Sequence, residues 1–250
     1  MKAHKAIEGI TDFRRRGKFD ESALDFFEQK IIESQKFDFD FGEFPVLSED
    51  ELQRQVRNLN LPYPLCYFSV PSVGAVLARD HADSVLIQVF IQHEGRVGML
   101  PPSMPLVLDK RDGSICCMSE DPEVQKEWHD PSDKGVLVCV GLICLVVRGL
   151  SVLNCSNVTV IDNPPPAALN KKRAKSEKGP LFTYKTLHIN TSKAQVLSGA
   201  SSLTERNATR LHLRRGHIRR LPTGTTTWVQ SCMVGSTSNG MVMKDYRVTA

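Results

Sequence analysis

Three neighbouring stretches, LCYFSV (65–70), VGAVLAR (73–79) and SVLIQVFIQ (84–92), decide the fold of this chain. They are rich in β-branched and aromatic residues, and short polar segments containing Pro, Asp and His separate them. This combination is typical of strands joined by tight turns. We therefore predict an antiparallel meander, which a strand at 95–101 and a hairpin turning at Asp112-Gly113 extend.

The sequence before the meander favours helices. Residues 22–36 place apolar side chains on one helical stripe, and Ser48 with Glu51 forms the capping box of a second helix. Between these helices, FDFDFGEFP (37–45) alternates aromatic and acidic residues, which is the period of a strand. We expect either an edge strand or an extended arm whose Phe side chains dock on the rest of the protein.

The longest apolar run, GVLVCVGLICLVV (135–147), has thirteen residues, and Lys134 and Arg148 close it. A membrane-spanning helix needs about 20 apolar residues. We therefore predict a buried helix over the apolar segment 135–153, in a cytoplasmic protein without membrane contact. Its cysteines, Cys139 and Cys144, are expected to act as small apolar side chains.

These patterns predict an α+β fold with N-terminal helices, an antiparallel sheet with one buried helix, and a C-terminal β-hairpin region. Residues 1–62 form the predicted N-terminal helical region with its acidic, Phe-rich arm. Residues 63–250 form a mixed domain, whose basic β region covers 170–250. Turn-forming residues at 222–224 and 236–240 separate the last strands.

The charge of the chain is unevenly distributed, although its net charge is only +4. Residues 1–60 contain thirteen acidic and ten basic side chains. Residues 170–220 contain thirteen basic side chains against two acids, Glu177 and Glu205. This asymmetry predicts that a polyanion or an acidic partner meets the C-terminal half. The alternative is a solvated basic face with no partner.

Two clusters carry the basic excess: NKKRAKSEKGP (170–180) and RLHLRRGHIRRL (210–221). Guanidinium groups match phosphate oxygens in bidentate geometry, and an aromatic side chain on a paired strand can stack on a base. A charged edge strand protected against aggregation is the alternative for the second cluster. The candidate nucleic-acid-binding residues are Lys171, Lys172, Arg173, Lys175, Arg210, Arg214, Arg215, Arg219, Arg220 and Trp228.

A catalytic alternative uses His212 and His217 as general acid and base. Metal-independent ribonucleases combine two histidines with a cation that stabilises developing negative charge, and Arg214 or Arg215 would supply that cation. A bulge at Gly216 would change how the two histidines lie relative to each other. The sequence has no C-x-x-C and no glycine-rich phosphate loop, so we predict no metal and no cofactor.

Three stretches resemble a family of uncharacterised proteins from tailed bacteriophages and prophages. They are LPYPLCYFSV (61–70), LNKKRAKSEKGPLFTYKTLHI (169–189) and RLHLRRGHIRRLPTGTTTWVQSCMVGSTSNGMVMKDYRV (210–248), of which the first is the weakest match. The family has no assigned activity, so the resemblance transfers no catalytic residue. It implies a phage or prophage origin and action in the cytoplasm of an infected bacterium.

Three functions remain open from the sequence. The favoured one is a non-enzymatic phage protein that binds RNA or DNA, or modulates a host nucleic-acid machine, through its basic C-terminal surface. The second is the ribonuclease-like enzyme, and the third is a structural or interaction protein of the phage particle. The acidic, Phe-rich arm favours a protein partner, or self-association with the basic half of another copy.

Overall fold

The computed structural model describes residues 1–17, 19–39, 48–101, 106–119, 126, 128, 134–153, 155–189, 210–214, 217–229, 232–234 and 236–241. The architecture of these residues confirms the predicted α+β class. The helices are α1 (Ala3–Arg15), α2 (Glu21–Glu33), α3 (Glu49–Arg57), α4 (Lys134–Leu153) and α5 (Ala167–Lys175). The strands are β1 (Gln35–Asp38), β2 (Leu65–Val70), β3 (Gly74–His81), β4 (Ser84–His93), β5 (Arg96–Met99), β6 (Leu106–Asp109), β7 (Ile115–Cys117), β8 (Val158–Asn163), β9 (Tyr184–Ile189), β10 (Arg210–Arg214), β11 (His217–Arg220), β12 (Thr226–Val229), β13 (Cys232–Val234) and β14 (Ser236–Met241).

The described chain divides into two compact units. The first unit contains Met1–Ser151 and Val160–Leu187, and the second contains Val152–Thr159 and His188–Ala250. The first unit carries most of the nine-stranded sheet and the N-terminal helices, and the second carries the small C-terminal sheets.

The large sheet is built on the predicted meander. Its strands follow the order β7-β6-β4-β3-β2-β1-β9-β8, with β5 also paired to β4. The pairs from β2 to β7 are antiparallel, as the sequence predicts. The sheet as a whole is mixed, because β1 runs parallel to both β2 and β9.

The expectation of an edge strand or docked arm is wrong for β1. This strand lies inside the sheet, where Phe37 pairs with Phe68 and both side chains are fully buried. The Phe68 ring stacks against Phe37 at 5.4 Å and against Phe39 at 5.1 Å between centroids. Burial of three aromatic rings explains why this segment occupies the sheet interior. The rest of the predicted arm, residues 40–45, lies outside the described residues.

The hairpin between β6 and β7 turns at Asp112-Gly113 as predicted, and α3 lies directly against it. Gly113 has a φ of +83°, which favours glycine, and a Cβ at this position would lie 2.3 Å from the carbonyl oxygen of Gln53. Arg57 Nε donates a 2.9 Å hydrogen bond to the carbonyl of Asp112. The helix itself begins with the predicted capping box, Ser48 with Glu51.

The N-terminal helices cover one face of the sheet. Ile10 and Phe13 of α1 join Leu24 and Ile31 of α2 in one buried cluster with Tyr67 and other side chains of the sheet. Arg14 links the two helices through ion pairs with Asp25, at 2.6 Å, and Glu28, at 3.1 Å.

The turn from α2 into β1 is held by a buried lysine. Lys36 Nζ donates hydrogen bonds to the carbonyls of Ile32, at 2.9 Å, and Ser34, at 2.6 Å, and the residue is only 5% exposed. Burial lowers the pKa of Lys36 from 10.5 to about 8. Folding therefore favours the neutral amine.

This burial predicts a pH effect on stability. Between about pH 8 and pH 10.5 the unfolded chain keeps a proton on Lys36 that the folded chain has lost. The contribution of Lys36 to the free energy of unfolding should therefore rise with pH in this window. We expect urea unfolding at pH 7.5, 8.5 and 9.5 to show wild type gaining stability relative to Lys36→Met as pH rises. Equal changes in the stability of wild type and Lys36→Met over this pH range would contradict the burial.

Helix α4 matches the predicted buried helix of residues 135–153 within one residue. The helix continues through Arg148 to Leu153 and reaches 20 residues, because the side chains after Arg148 are again mostly apolar. By length and composition alone, residues 135–153 could cross a membrane, a property shared by core helices of soluble proteins. Leu142, Ile143 and Val146 are buried, whereas Leu137 and Val138 are exposed. The prediction of a buried helix is thus confirmed for one face, and the absence of membrane contact stays a prediction.

The second unit consists of small sheets. Strands β11 and β12 form an antiparallel hairpin around the predicted turn at 222–224, and β13, β10 and β14 form a separate sheet. The predicted turn at 236–240 is wrong, because these residues belong to β14, which pairs in parallel with β10. Pairing with a distant strand has overridden the local turn preference of the Ser, Asn and Gly residues.

Candidate nucleic-acid interface

Helix α5 carries most of the first basic cluster, residues 170–180. It begins directly after Pro166 and ends at Lys175, and none of its residues is buried. Most helices in proteins are stabilised by packing an apolar face. This helix has no such face, so its position depends on polar contacts.

Two side chains three residues apart anchor α5 to the segment that follows it and to α1. Asn170 forms reciprocal hydrogen bonds with the backbone of Leu181, donating at 3.0 Å and accepting at 2.8 Å. Arg173 Nε donates to the carbonyl of Gly179 at 2.8 Å, and its guanidinium lies 3.5 Å from the Glu8 carboxylate. The Arg173 side chain is only 17% exposed. It therefore serves as an anchor, in addition to any contact with a ligand.

The lysines of α5 are exposed. Lys171, Lys172 and Lys175 are exposed on the helix, and Lys178 is exposed just after it. None of the four makes an ion pair with a described residue, whereas five lysines elsewhere in the described part do. We call Lys171, Lys172 and Lys175 the lysine face. Lysines in the last turn also stabilise a helix by interacting with its dipole, but this interaction does not require three lysines.

A cavity of about 460 Å³ lies beside α5, between α1, α2 and the segment that leads into β9. Ile7, Ile32 and Phe182 give it apolar walls. Charged side chains of Arg15 and Lys178 also line it. The complete lining holds three carboxylates and three cationic side chains, so the cavity combines apolar surface with balanced charge.

A histidine with an unusual environment lines the same cavity. Burial lowers the pKa of His4, and the nearby Arg173 guanidinium lowers it further, so the ring is neutral at pH 7. Its Nδ1 atom is buried and has no hydrogen-bond partner among the described residues. Although burial opposes ionisation of Glu8, its hydrogen bond with Lys5 gives this carboxyl a lowered pKa overall. Glu8 is therefore ionised and neutralises Arg173.

The second predicted cluster is divided between two sheets. Arg210, His212 and Arg214 lie on β10, whereas His217, Arg219 and Arg220 lie on β11. Arg219 and Arg220 are exposed, and Trp228 lies opposite Ile218 on the paired strand, as the sequence predicts. The side chains of Arg210, His212, Arg214, His217 and Trp228, and all of Arg215 and Gly216, lie outside the described residues.

This division bears on two sequence hypotheses. His212 and His217 lie on strands of different sheets, so the ribonuclease hypothesis gains no support from the topology. The two basic clusters belong to different units, because residues 171–175 lie in the first and residues 210–220 in the second. Their union in one surface stays a prediction.

Sequence reasoning missed the residues that α1 contributes to the cavity. His4, Glu8, Thr11 and Arg15 recur at helical spacing and line one side of it. That spacing is visible in the sequence, although it identifies a face only once α1 is recognised as a helix.

The chain was compared with known proteins in three ways. No protein-family model, no curated protein and no solved structure matches it. Its class is therefore defined by its own architecture: an α+β protein with a mixed sheet and a peripheral lysine-rich helix.

Proposed function

We propose that this protein is a non-enzymatic, phage-encoded protein that binds the backbone of a nucleic acid through the lysine face of α5. The single observation that carries the proposal is the exposure of Lys171, Lys172 and Lys175, without ion pairs to described residues, on a helix that buries no residue. An acidic protein surface in the host is the alternative partner.

The physical argument rests on the energetics of α5. A helix without a buried face gains little from the hydrophobic effect, yet polar anchors at Asn170 and Arg173 hold it in place. Three lysines close together on such a helix repel one another. Phosphate groups would relieve this repulsion and release counterions on binding.

The hairpin of β11 and β12 supplies a second candidate contact. Arg219 and Arg220 are exposed there, and guanidinium groups form bidentate hydrogen bonds with phosphate. The strand that carries Trp228 pairs with the arginine strand, and an aromatic residue can stack on a base. We propose that this hairpin contributes further phosphate contacts.

Replacing the lysine face should weaken binding to nucleic acid. We expect Lys171→Gln, Lys172→Gln and Lys175→Gln together to lower affinity for a labelled oligonucleotide about 10- to 100-fold at low salt. The slope of log affinity against log salt should fall by up to about 2 to 3, since each lost phosphate contact removes about 0.7 to 0.9. Fluorescence anisotropy between 20 and 200 mM salt measures both quantities.

The matched control removes three exposed positive charges elsewhere in the described chain: Arg54→Gln, Arg96→Gln and Lys126→Gln. It has the same net charge as the lysine-face variant and should retain most of the wild-type affinity and salt slope. Equal losses of affinity in both variants would show that only net charge matters and would refute a localised interface. No salt-sensitive binding by wild type would refute the proposal and leave an acidic host protein as the partner.

A further inference from the structure

Strand β8 ends the nine-stranded sheet on one side. It neighbours β9, and no described strand lies beyond it. The strands at the other side of the sheet, β5 and β7, have four and three residues, whereas β8 has six. A short edge strand is one way in which proteins limit pairing with other chains. β8 lacks this protection, so it is the edge on which a further strand can pair.

The residues of β8 strongly favour a strand but bury little surface. Its first four residues, Val158 to Ile161, are all β-branched, the class of side chain that strands prefer. Val160 is 42% exposed and Ile161 is 46% exposed. Successive side chains of a strand point to opposite faces, so apolar surface is exposed on both faces of this edge. A lysine or a proline within the strand would discourage pairing, and β8 contains neither.

The backbone of β8 is also available for pairing. Along an edge strand, alternate residues turn their N–H and C=O groups away from the sheet, and residues 160–163, all in the first unit, include such positions. The carbonyl of Ile161 accepts a long hydrogen bond, 3.3 Å, from the amide of Asn163. A carbonyl oxygen has two lone pairs, so it can accept a second hydrogen bond from a partner strand.

The charge of β8 fits a second copy of the same strand. Its only ionisable residue, Asp162, forms a 2.7 Å ion pair with Lys185 of β9. The amide of Asn163 donates a 2.8 Å hydrogen bond to the hydroxyl of Thr186 in the same strand. A strongly charged partner segment would find no unbalanced opposite charge here. An uncharged β-branched strand meets no such penalty, and β8 itself has this composition.

We infer that two copies of this protein pair through β8, antiparallel and about a two-fold axis, so that Val160 of each copy lies opposite Ile161 of the other. This register places β-branched side chains opposite each other on both faces, which stabilises cross-strand pairing. The three prolines at 164–166 follow directly and cannot donate ladder hydrogen bonds, so the pairing ends at Asn163. Each copy has one β8, so the symmetry closes the assembly at a dimer.

Sedimentation equilibrium of the full chain between about 5 and 500 μM, without nucleic acid, measures this association. Six paired residues bury much less surface than a standard interface, so we expect a dissociation constant of about 10 to 200 μM. Val160→Lys should weaken the dimer at least about tenfold, because the two-fold axis makes each substitution act twice. The matched control is Val138→Lys, the same substitution at an equally exposed valine of α4, which should leave the dissociation constant unchanged.

A second variant tests the register and does not depend on the stability of one substitution. Adding Ile161→Glu to Val160→Lys should recover at least about threefold of the lost affinity, because each introduced cation then lies opposite an introduced carboxylate of the other copy. Adding Ile161→Lys to Val160→Lys should give no recovery, since like charges would then lie opposite each other. Urea midpoints should stay close to wild type in all these variants, because both positions bury little.

The outcomes are distinct from those for the proposed function, because no nucleic acid is present. A monomer at every concentration would overturn the inference and leave the lysine face unaffected. A dimer weakened by Val138→Lys but not by Val160→Lys would place the interface on α4 and refute pairing through β8. Open-ended polymers would contradict the two-fold arrangement. A loss in Val160→Lys that Ile161→Glu does not reverse would refute the register.

Discussion

Gly74→Ala is expected to lower the free energy of unfolding by about 2–3 kcal/mol, a large effect for the addition of one methyl group. Gly74 begins β3 and pairs with Val70 on one side and Ile91 on the other. A Cβ at this position would lie 2.2 Å from the carbonyl oxygen of Phe90 and 3.0 Å from a methyl group of Leu142. The oxygen belongs to the backbone of β4, so it cannot move without shifting that strand.

Urea unfolding followed by circular dichroism measures this effect, and two other glycines provide controls. Among the described residues, a Cβ at Gly98 in β5 would meet no atom closer than 3.9 Å, and a Cβ at Gly141 in α4 would meet none within 4 Å outside its own helix backbone. Gly98→Ala should be close to neutral, and Gly141→Ala should stabilise the helix by up to about 1 kcal/mol. A Gly74→Ala variant as stable as wild type would contradict the close approach of β3 and β4.

The meander was predictable because its strands are local. β2, β3 and β4 are consecutive in sequence, are separated by two or three residues, and are rich in β-branched and aromatic side chains. Neighbouring antiparallel strands need only short turns, so composition and spacing were sufficient. The same reasoning located the hairpin at Asp112-Gly113.

The position of β1 was not predictable from its own residues. Alternation of Phe and Asp indicates a strand, but it does not tell an edge strand from an interior one. β1 lies between β2 and β9, and β9 begins 146 residues after β1 ends, counting from Asp38 to Tyr184. Parallel pairing over such a separation leaves no local signal in the sequence.

Helix α1 is absent from the predicted elements, although its residues carry a helical pattern. Ala3, Ala6, Ile10 and Phe13 recur at helical spacing and are all buried. Alanine and charged residues dominate the segment, and Gly9 interrupts it, so the apolar stripe is narrow. Without α1 the cavity cannot be predicted either, because α1 supplies one of its walls.

The sequence predicts the positive charge of the candidate site but not which of its side chains are exposed. The exposed lysines form a run of basic residues in the sequence. The structure shows which neighbouring side chains contact the protein instead of the solvent. Asn170 and Arg173 stand three residues apart and bond to the segment that follows α5, and the exposed lysines occupy the positions around them. Composition alone counts Arg173 with the lysines, although its guanidinium is largely enclosed and paired with Glu8.

Removing both anchors of α5 should therefore abolish high-affinity nucleic-acid binding while every lysine of the lysine face remains. Asn170→Ala with Arg173→Ala deletes three hydrogen bonds to the backbone of Leu181 and Gly179 and the ion pair with Glu8. Each hydrogen bond contributes about 0.5–1.5 kcal/mol, so the population with α5 detached should rise at least about tenfold. Because α5 buries no residue, the urea midpoint of the whole protein should barely change.

Limited trypsin digestion followed by mass spectrometry measures this detachment of α5 directly. Cleavage after Lys171, Lys172 and Lys175 should accelerate at least about tenfold in the double variant, because proteolysis tracks the population of the open state. Ser176→Ala, which removes only a hydrogen bond to Lys172 within the helix end, should leave the cleavage rate close to wild type. Arg173→Ala also removes one cation, so Arg54→Ala, which removes one exposed cation elsewhere, is the charge control. Faster cleavage, together with a loss of affinity larger than this control shows, would mean that the lysines act as an ordered set. Faster cleavage with binding retained would instead mean that a disordered run of lysines is sufficient, and the fixed position of α5 would then have no part in recognition.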